Sequence, residues 1–445
     1  MTPVTSTTLL GADPPRANGN RRSTIWTLLV VAAAVVPRLV VLAAERGAIL
    51  SAYTEKSDDF ARTFVASGTF GFVAGHPSAS TQPLYGYFLV PLYWIFGRSW
   101  EVVGVAQIVL AAATAVLVYL SARLIVPRLA PLAAIVATLN PYLIWHDVHV
   151  NREITDQVVL AAIVFVTLLA LRRDSLLLRV LLGALCGLAI LGNSRLVLVP
   201  VLLAAILLIR PGTRVLGTVA ILVTAGVVVT PWLVRNDVQL GCFAITTDAR
   251  ALWKANNPNT YATLAAGKWI DDVPQPSSFP PTPEDAAAIY HQTGTYPPVD
   301  ECAQMNRFEH LAVRYMEHHP GEKAKLAGQS AQLLWDPRVH ETQGRSGAGT
   351  WRDKARRFAE PVWTIPVMVL ALAGLAFAVD RVFVLLAVLL LAYNTVAAMI
   401  FAGTTRYRVP FDFLLVLLAA GAVERLMSSS RYTRATPSVA AADEN

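Results

Sequence analysis

Long apolar runs separated by short polar turns make up most of the chain. A helix needs about 20 mostly apolar residues to cross ~30 Å of hydrocarbon. Runs near that length recur at 24–44, 101–122, 129–146, 156–171, 177–193, 196–209, 214–233, 361–379, 382–402 and 409–427. The pattern predicts an all-α polytopic membrane protein, a transmembrane bundle of about ten helices. The first run is too long for a secretory signal and lacks a small-residue cleavage site before a soluble domain, so it is expected to remain as an anchor. A shorter stretch, Pro83 to Gly97, holds two prolines and a cluster of Tyr, Trp and Phe. At ~1.5 Å per residue it reaches only about 22 Å, so it is expected to lie in the outer interface.

Lys and Arg enrichment marks cytoplasmic loops. With the N-terminus inside, every inner connection carries arginine, among them Arg123, Arg128, Arg172, Arg173, Arg210, Arg214 and Arg381. The short outer connections hold only Arg152, Arg195, Arg406 and Arg408. The expected division is a cytoplasmic tail at 1–23, a first helix at 24–44, and a first outer loop with the interfacial helix at 45–100. Helices two to seven follow at 101–233, an extracytoplasmic domain at 234–358, helices eight to ten at 359–427, and a cytoplasmic tail at 428–445. Both tails are polar and rich in small residues, and disorder is expected there. The expected location is the cytoplasmic membrane, multi-pass, with the working face outside.

Composition agrees with that picture: 55% of residues are hydrophobic and only 15% charged. The formal net charge of +7 would suit nucleic acid only if gathered on one soluble face, and here the basic residues punctuate apolar runs. Nucleic acid is set aside as a partner. Three cysteines exclude a disulfide-stapled scaffold and a cysteine-rich metal site. Cys242 and Cys302 both fall on the outer, oxidising side and are expected to pair, whereas Cys186 reads as a packing residue within a helix.

Candidate chemistry collects at the outer ends of the spans. The first outer loop sets Glu55, Asp58 and Asp59 beside Lys56 and Arg62. Carboxylates near apolar surface serve as bases when their pKa is raised, and the competing reading is a helix cap at Ser57 or Asp58. A second connection holds His146, Asp147, His149, Arg152, Glu153 and Asp156; two histidines three apart without a fixed third ligand are a weak metal signal. No metal site and no definite cofactor is assigned, and a divalent ion is left open. Arg152, Arg195, Arg406 and Arg408 carry planar forks of donors that suit phosphate oxygens, and a lipid phosphate is the natural occupant of a pocket they would form. Singly, each would serve as an interfacial anchor.

The stretches ARTFVASGTFGF (61–72), TQPLYGYFLVPLYWIFG (81–97), TPWLVRNDVQLGCFAITTDARALWKANNPN (230–259) and TRYRVPFDFLLVLL (405–418) occur in an informative order. Together they resemble the polytopic glycosyltransferases of the GT-C fold that use a lipid-phosphate-linked sugar. These are the bacterial relatives of the dolichyl-phosphate-mannose protein mannosyltransferases and of the lipid A aminoarabinose transferase. The resemblance implies a polyprenyl-phosphate-sugar donor, a hydroxyl acceptor on a glycan, lipid or protein, and inversion at the anomeric carbon. It implies a base in the first outer loop, here Asp58 first, Asp59 next, with Glu55 as competitor. It also implies phosphate contacts from Arg152, Arg195 and Arg406 or Arg408, with Arg62 nearby, and a lipid and acceptor groove at Gln82, Tyr85, Glu153 and Asp156. A transporter or flippase would place charges near the bilayer midplane, where only Arg38 stands. A lipid-linked glycan polymerase or ligase is a nearer rival that would share the outer anion pocket.

Overall fold

The computed structural model describes residues 17–51, 55–208, 215–338, 351–377 and 380–434, as backbone alone at 17–22, 351–353, 356 and 429–434. The outer stretches of the two tails, where disorder was expected, and the connections at 209–214 and 339–350 lie outside these residues. The described chain is helical, with one isolated bridge between Val73 and His76.

Helix α1 (Ala17–Glu45) leads into a loop that carries α2 (Lys56–Ser67) and α3 (Pro83–Phe96). An apolar block follows: α4 (Trp100–Ile125), α5 (Ala130–Thr138), α6 (Pro141–His146), α7 (Glu153–Arg172), α8 (Leu176–Gly192), α9 (Val199–Leu208) and α10 (Val215–Leu240). A polar cap holds α11 (Arg250–Lys254), α12 (Thr260–Ala265), α13 (Pro283–Thr293), α14 (Glu301–His318) and α15 (Pro320–Trp335). The chain returns through α16 (Trp351–Phe377), α17 (Arg381–Ile400), α18 (Thr405–Arg408) and α19 (Asp412–Arg434).

Among the described residues, six helices are long and apolar enough to cross a membrane, and the chain is an all-α multi-pass bundle. They are Ser23–Leu50, Trp100–Ile125, Glu153–Arg172, Val215–Leu240, Arg357–Phe377 and Arg381–Ile400, with shorter apolar helices at Pro83–Phe96, Leu176–Gly192 and Ser194–Leu208. Two of the ten expected runs take a different form. The run 129–146 breaks at Asn140–Pro141, because Pro141 cannot donate and Asn140 instead accepts from the Tyr142 amide at 3.0 Å. The last run is carried by α19, whose residues 412–422 are all buried and which carries Asp412, Glu424 and Arg425.

Glycine sets how closely several of these helices approach. Gly183 and Gly187, one turn apart on α8, face α10, where added methyl groups would lie 2.5 Å from the Ile221 carbonyl oxygen and 2.6 Å from Val228 Cβ. Gly374 on α16 meets the Leu418 carbonyl of α19 at 2.2 Å in the same sense. Inside the bundle the Arg38 guanidinium, 1% exposed, pairs with Asp147 at 2.7 Å. Gln157 donates to the same carboxylate at 2.8 Å, while Gln107 donates to the carbonyls of Asp147 and His149. A buried charge persists only when so compensated, and this knot joins α1, α4 and α7.

The cap is fastened at several points. Cys242, just past α10, and Cys302 of α14 are joined by a disulfide, their Cα atoms 5.7 Å apart. Beside it the buried Glu301 carboxylate accepts from the Ala79 amide at 3.0 Å and the Thr247 hydroxyl at 2.6 Å, tying the first loop to the cap. Lys323 of α15 donates to the Met399 carbonyl at the end of α17 at 2.8 Å and to the Asn256 side chain at 2.5 Å. Arg408 pairs with Asp412 at 3.0 Å and donates to the carbonyls of Leu334 and Asp336 at 3.2 and 2.8 Å.

Candidate functional site

A cavity of about 840 Å³ opens where the first loop, the 193–195 turn, the 401–407 loop and the cap meet. Glu55, Asp59, Gln82, Arg152, Arg195 and Arg406 all line it. The structure thus gathers residues spread over more than three hundred positions of sequence.

The three arginines differ in their partners. Arg406 is held by two carboxylates, Glu55 and Glu153, the latter with Nη2 to Oε2 at 3.1 Å. Arg152 donates to the Gln82 side-chain oxygen and lies 3.8 Å from Glu153. Gln82 in turn donates to the Ser194 hydroxyl at 3.3 Å. Arg195 is placed by the 3₁₀ turn Ser194–Leu196, which Asn193 caps by accepting the Arg195 amide. Its guanidinium stacks 3.8 Å from the Tyr407 ring centre and 5.2 Å from that of Phe401, and donates to the Ala402 carbonyl at 3.4 Å. Among the described residues no carboxylate reaches Arg195 within ion-pair distance. Aromatic stacking orients such a fork and leaves its donors for a ligand oxygen.

The carboxylates of the first loop fall into two environments. Asp58 is 2% exposed and turned toward α3, where Arg98 contacts it at 2.7 Å and the Tyr93 hydroxyl donates at 2.6 Å. It fastens α2 to α3 and is absent from the cavity wall. Asp59, next along the helix, lines the cavity and pairs loosely with Arg62 at 3.3 Å. Partial burial, and then the Asp58 charge, push its pKa above the ordinary carboxylate range. Glu55 precedes α2, lines the cavity and touches Arg406.

Five other expected residues, Arg62, Tyr85, Glu153, Asp156 and Arg408, stand apart from the cavity wall. Arg62 points outward and is half exposed. Tyr85 is buried and donates to Gln107 at 2.5 Å, so it belongs to the packing of α3 on α4. Arg408 is consumed by Asp412 and the cap carbonyls. Asp156 sits below, lining a smaller cavity with Glu153, Asn193, Arg406 and Tyr407, and accepts from Asn193 at 3.1 Å. His149 stacks on Trp145 at 4.0 Å and faces Glu45. Among the described residues no three His, Cys, Asp or Glu side chains are placed to hold a metal ion.

The cap contributes Asp248, Arg250 and Glu284, which sequence reasoning did not single out and which gather around Lys56 of the first loop. Lys56 pairs with Asp248 at 2.9 Å and Glu284 at 3.6 Å, and Arg250 pairs with Glu284 at 3.0 Å. Burial opposes the charge on Lys56, but Asp248 and Glu284 outweigh it and hold the ammonium above its usual pKa. Burial likewise works against the Asp248 carboxylate, and Lys56 with Arg250 more than compensates, holding it below the ordinary range. Lys56 and Asp248 lie 192 positions apart, and nothing local in the sequence links them.

Comparison with known proteins adds one family. The sequence pattern described as dolichyl-phosphate-mannose-protein mannosyltransferase matches residues 76–234, the family toward which the motifs pointed. That stretch contains Gln82, Arg152 and Arg195, and leaves Glu55, Asp59 and Arg406 outside it. No curated protein matches the chain. Among solved structures the chain is similar to ArnT from Cupriavidus metallidurans bound to undecaprenyl phosphate. Identity is 17% and the TM-score 0.43, over 93% of this chain and 82% of that one. It is also similar to the archaeal oligosaccharyltransferase AglB from Archaeoglobus fulgidus, solved with an inhibitory peptide and a dolichol-phosphate. There identity is 12% and the TM-score 0.47, over 95% of this chain and 53% of that one.

Proposed function

We propose that this protein is a membrane glycosyltransferase that moves a sugar from a polyprenyl-phosphate carrier to a hydroxyl acceptor on the outer face of the cytoplasmic membrane. The observation that carries this reading is the meeting of Arg152, Arg195 and Arg406 with Glu55 and Asp59 in one cavity. The family match supports a lipid-phosphate-linked donor.

Cleaving a sugar–phosphate bond builds positive charge at the anomeric carbon and negative charge on the departing phosphate. Arg195, stacked and lacking a carboxylate partner, is the arginine best prepared to receive that charge, with Arg152 and Arg406 beside it. The acceptor oxygen attacks from the opposite side and loses its proton to a carboxylate of the first loop, so the configuration at the anomeric carbon inverts. Glu55 and Asp59 reach the cavity, and the proton acceptor is assigned to this pair; Asp58 holds α2 in place.

The test uses the purified protein in lipid nanodiscs with a panel of polyprenyl-phosphate sugars and candidate acceptors. Transfer from at least one donor is expected. Arg195→Gln is expected to lower kcat about 10²- to 10³-fold, as removal of one oxyanion donor does. Full activity of the Glu55→Gln/Asp59→Asn double variant would overturn the assignment of the base, and failure of every donor would overturn the reading itself.

A further inference from the structure

The cap side of the cavity differs in charge logic from the arginine side. Five carboxylates of the cap line it against Lys56, Arg250 and Lys254. Each of those cations is already paired: Lys56 with Asp248, Arg250 with Glu284 at 3.0 Å, and Lys254 with Asp271 at 3.4 Å. An anionic ligand would meet surplus negative charge there and find its cations taken, whereas a hydroxyl can donate to a carboxylate that is already in an ion pair.

Two further observations point to a ligand. Trp269 lines the cavity and is tied by its side chain and by its backbone: the indole Nε1 donates to Asp271 at 2.9 Å, and the backbone amide donates to Asp272 at 2.8 Å. Packed against the small apolar cluster of Ala255 and Ile270, it is a half-buried aromatic wall in a polar cavity. Ser80, from the first loop, lines the same cavity. It is 6% exposed, and among the described residues its hydroxyl has no hydrogen-bond partner.

An aromatic face combined with carboxylates and an open hydroxyl suits a polyhydroxylated ring, which offers C–H groups on one side and O–H donors around its edge. We propose that the cap side of the cavity is an acceptor subsite for an uncharged sugar residue, with Trp269 as its stacking face and Ser80, Asp248 and Glu284 as partners of its hydroxyls. The inference rests on the glycosyl-transfer reading and narrows its acceptor from any hydroxyl compound to a neutral glycan.

The test is saturation-transfer NMR on the full chain in nanodiscs with neutral trisaccharides (α-mannotriose, α-arabinotriose, β-glucotriose), each also in a terminally phosphorylated form. Undecaprenyl phosphate binding is measured in parallel by thermal shift. At least one neutral trisaccharide is expected to bind, and, with the arginine side saturated by undecaprenyl phosphate, its phosphorylated form to bind about tenfold more weakly at low salt. Trp269→Ala is expected to weaken the neutral sugar about tenfold and Trp269→Phe only about two- to threefold, since the phenyl keeps a stacking face. An unchanged response to undecaprenyl phosphate shows that these variants fold. Binding of undecaprenyl phosphate without any neutral sugar, equal binding of the phosphorylated sugar, or a Trp269→Ala variant that binds sugar like the parent would each overturn the subsite alone. If undecaprenyl phosphate fails to bind as well, the glycosyltransferase reading falls with it.

Discussion

Glu55, Asp58 and Asp59 show how little separates a structural carboxylate from one that lines the cavity. Positions 58 and 59 are about 100° apart around a helix, so one faces α3 while the other faces the cavity. Counting acids in the loop finds the group but not the face, because the direction is set by where Arg98, forty residues away, comes to rest. Asp58→Asn removes one partner of an ion pair whose carboxylate is buried, so the variant is expected to lose about 2–4 kcal/mol of stability. Thermal unfolding in detergent checks this, and a loss of activity without a loss of stability would return Asp58 to the list of bases. Asp59 gives a different expectation. A base works only when deprotonated, and its pKa lies above the ordinary carboxylate range. If Asp59 takes the proton, kcat/KM falls as pH drops through that raised pKa, earlier than for an unperturbed aspartate. The pH profile of Asp59→Asn then lacks that limb.

At the scale of elements, the site depends on short connections whose paths are fixed by packing. The loop bearing Arg406 crosses α15 at Gly403, where an added methyl group would lie 1.7 Å from the Ser330 carbonyl oxygen. Backbone cannot give way as a flexible side chain does, so Gly403→Val is expected to displace the loop and weaken undecaprenyl phosphate binding about tenfold, read by titration. The α8–α10 contact predicts its own cost: Gly183→Leu forces apart helices that meet backbone to backbone and is expected to destabilise by about 1–3 kcal/mol, measured by thermal unfolding. Much at this scale was legible in the sequence. Membrane thickness imposes a run length that stands out, and the outer arginines were visible as exceptions within it. The break at Asn140–Pro141 was written in the sequence too, but apolarity on both sides concealed it.

Across the whole molecule the cavity is an assembly of distant segments, and this is why only its parts could be read in advance. Arg152, Arg195 and Arg406 announced themselves by charge in an apolar setting; Lys56, Asp248, Glu284 and Trp269 sit in polar stretches where such residues are ordinary. Arg408 carried the same sequence signal as Arg406 and serves instead to bind the cap to the last helix. The disulfide at Cys242–Cys302 holds the cap to the end of α10 and closes a loop of sixty residues. Its removal by Cys242→Ser with Cys302→Ser is expected to cost about 2–4 kcal/mol, measured as a lower melting temperature that reductant does not lower further.

The grip of Arg408 on the Leu334 and Asp336 carbonyls, and of Lys323 on Met399, has a temporal meaning. The cap emerges from the ribosome before α17, α18 and α19, so a nascent chain ending near residue 380 holds every carboxylate of the first loop but neither Arg406 nor the helices that seat α15. On the proposed reading, Arg406 joins Arg152 and Arg195 in the cavity only in the final steps of insertion, and premature termination there yields a chain that lacks it.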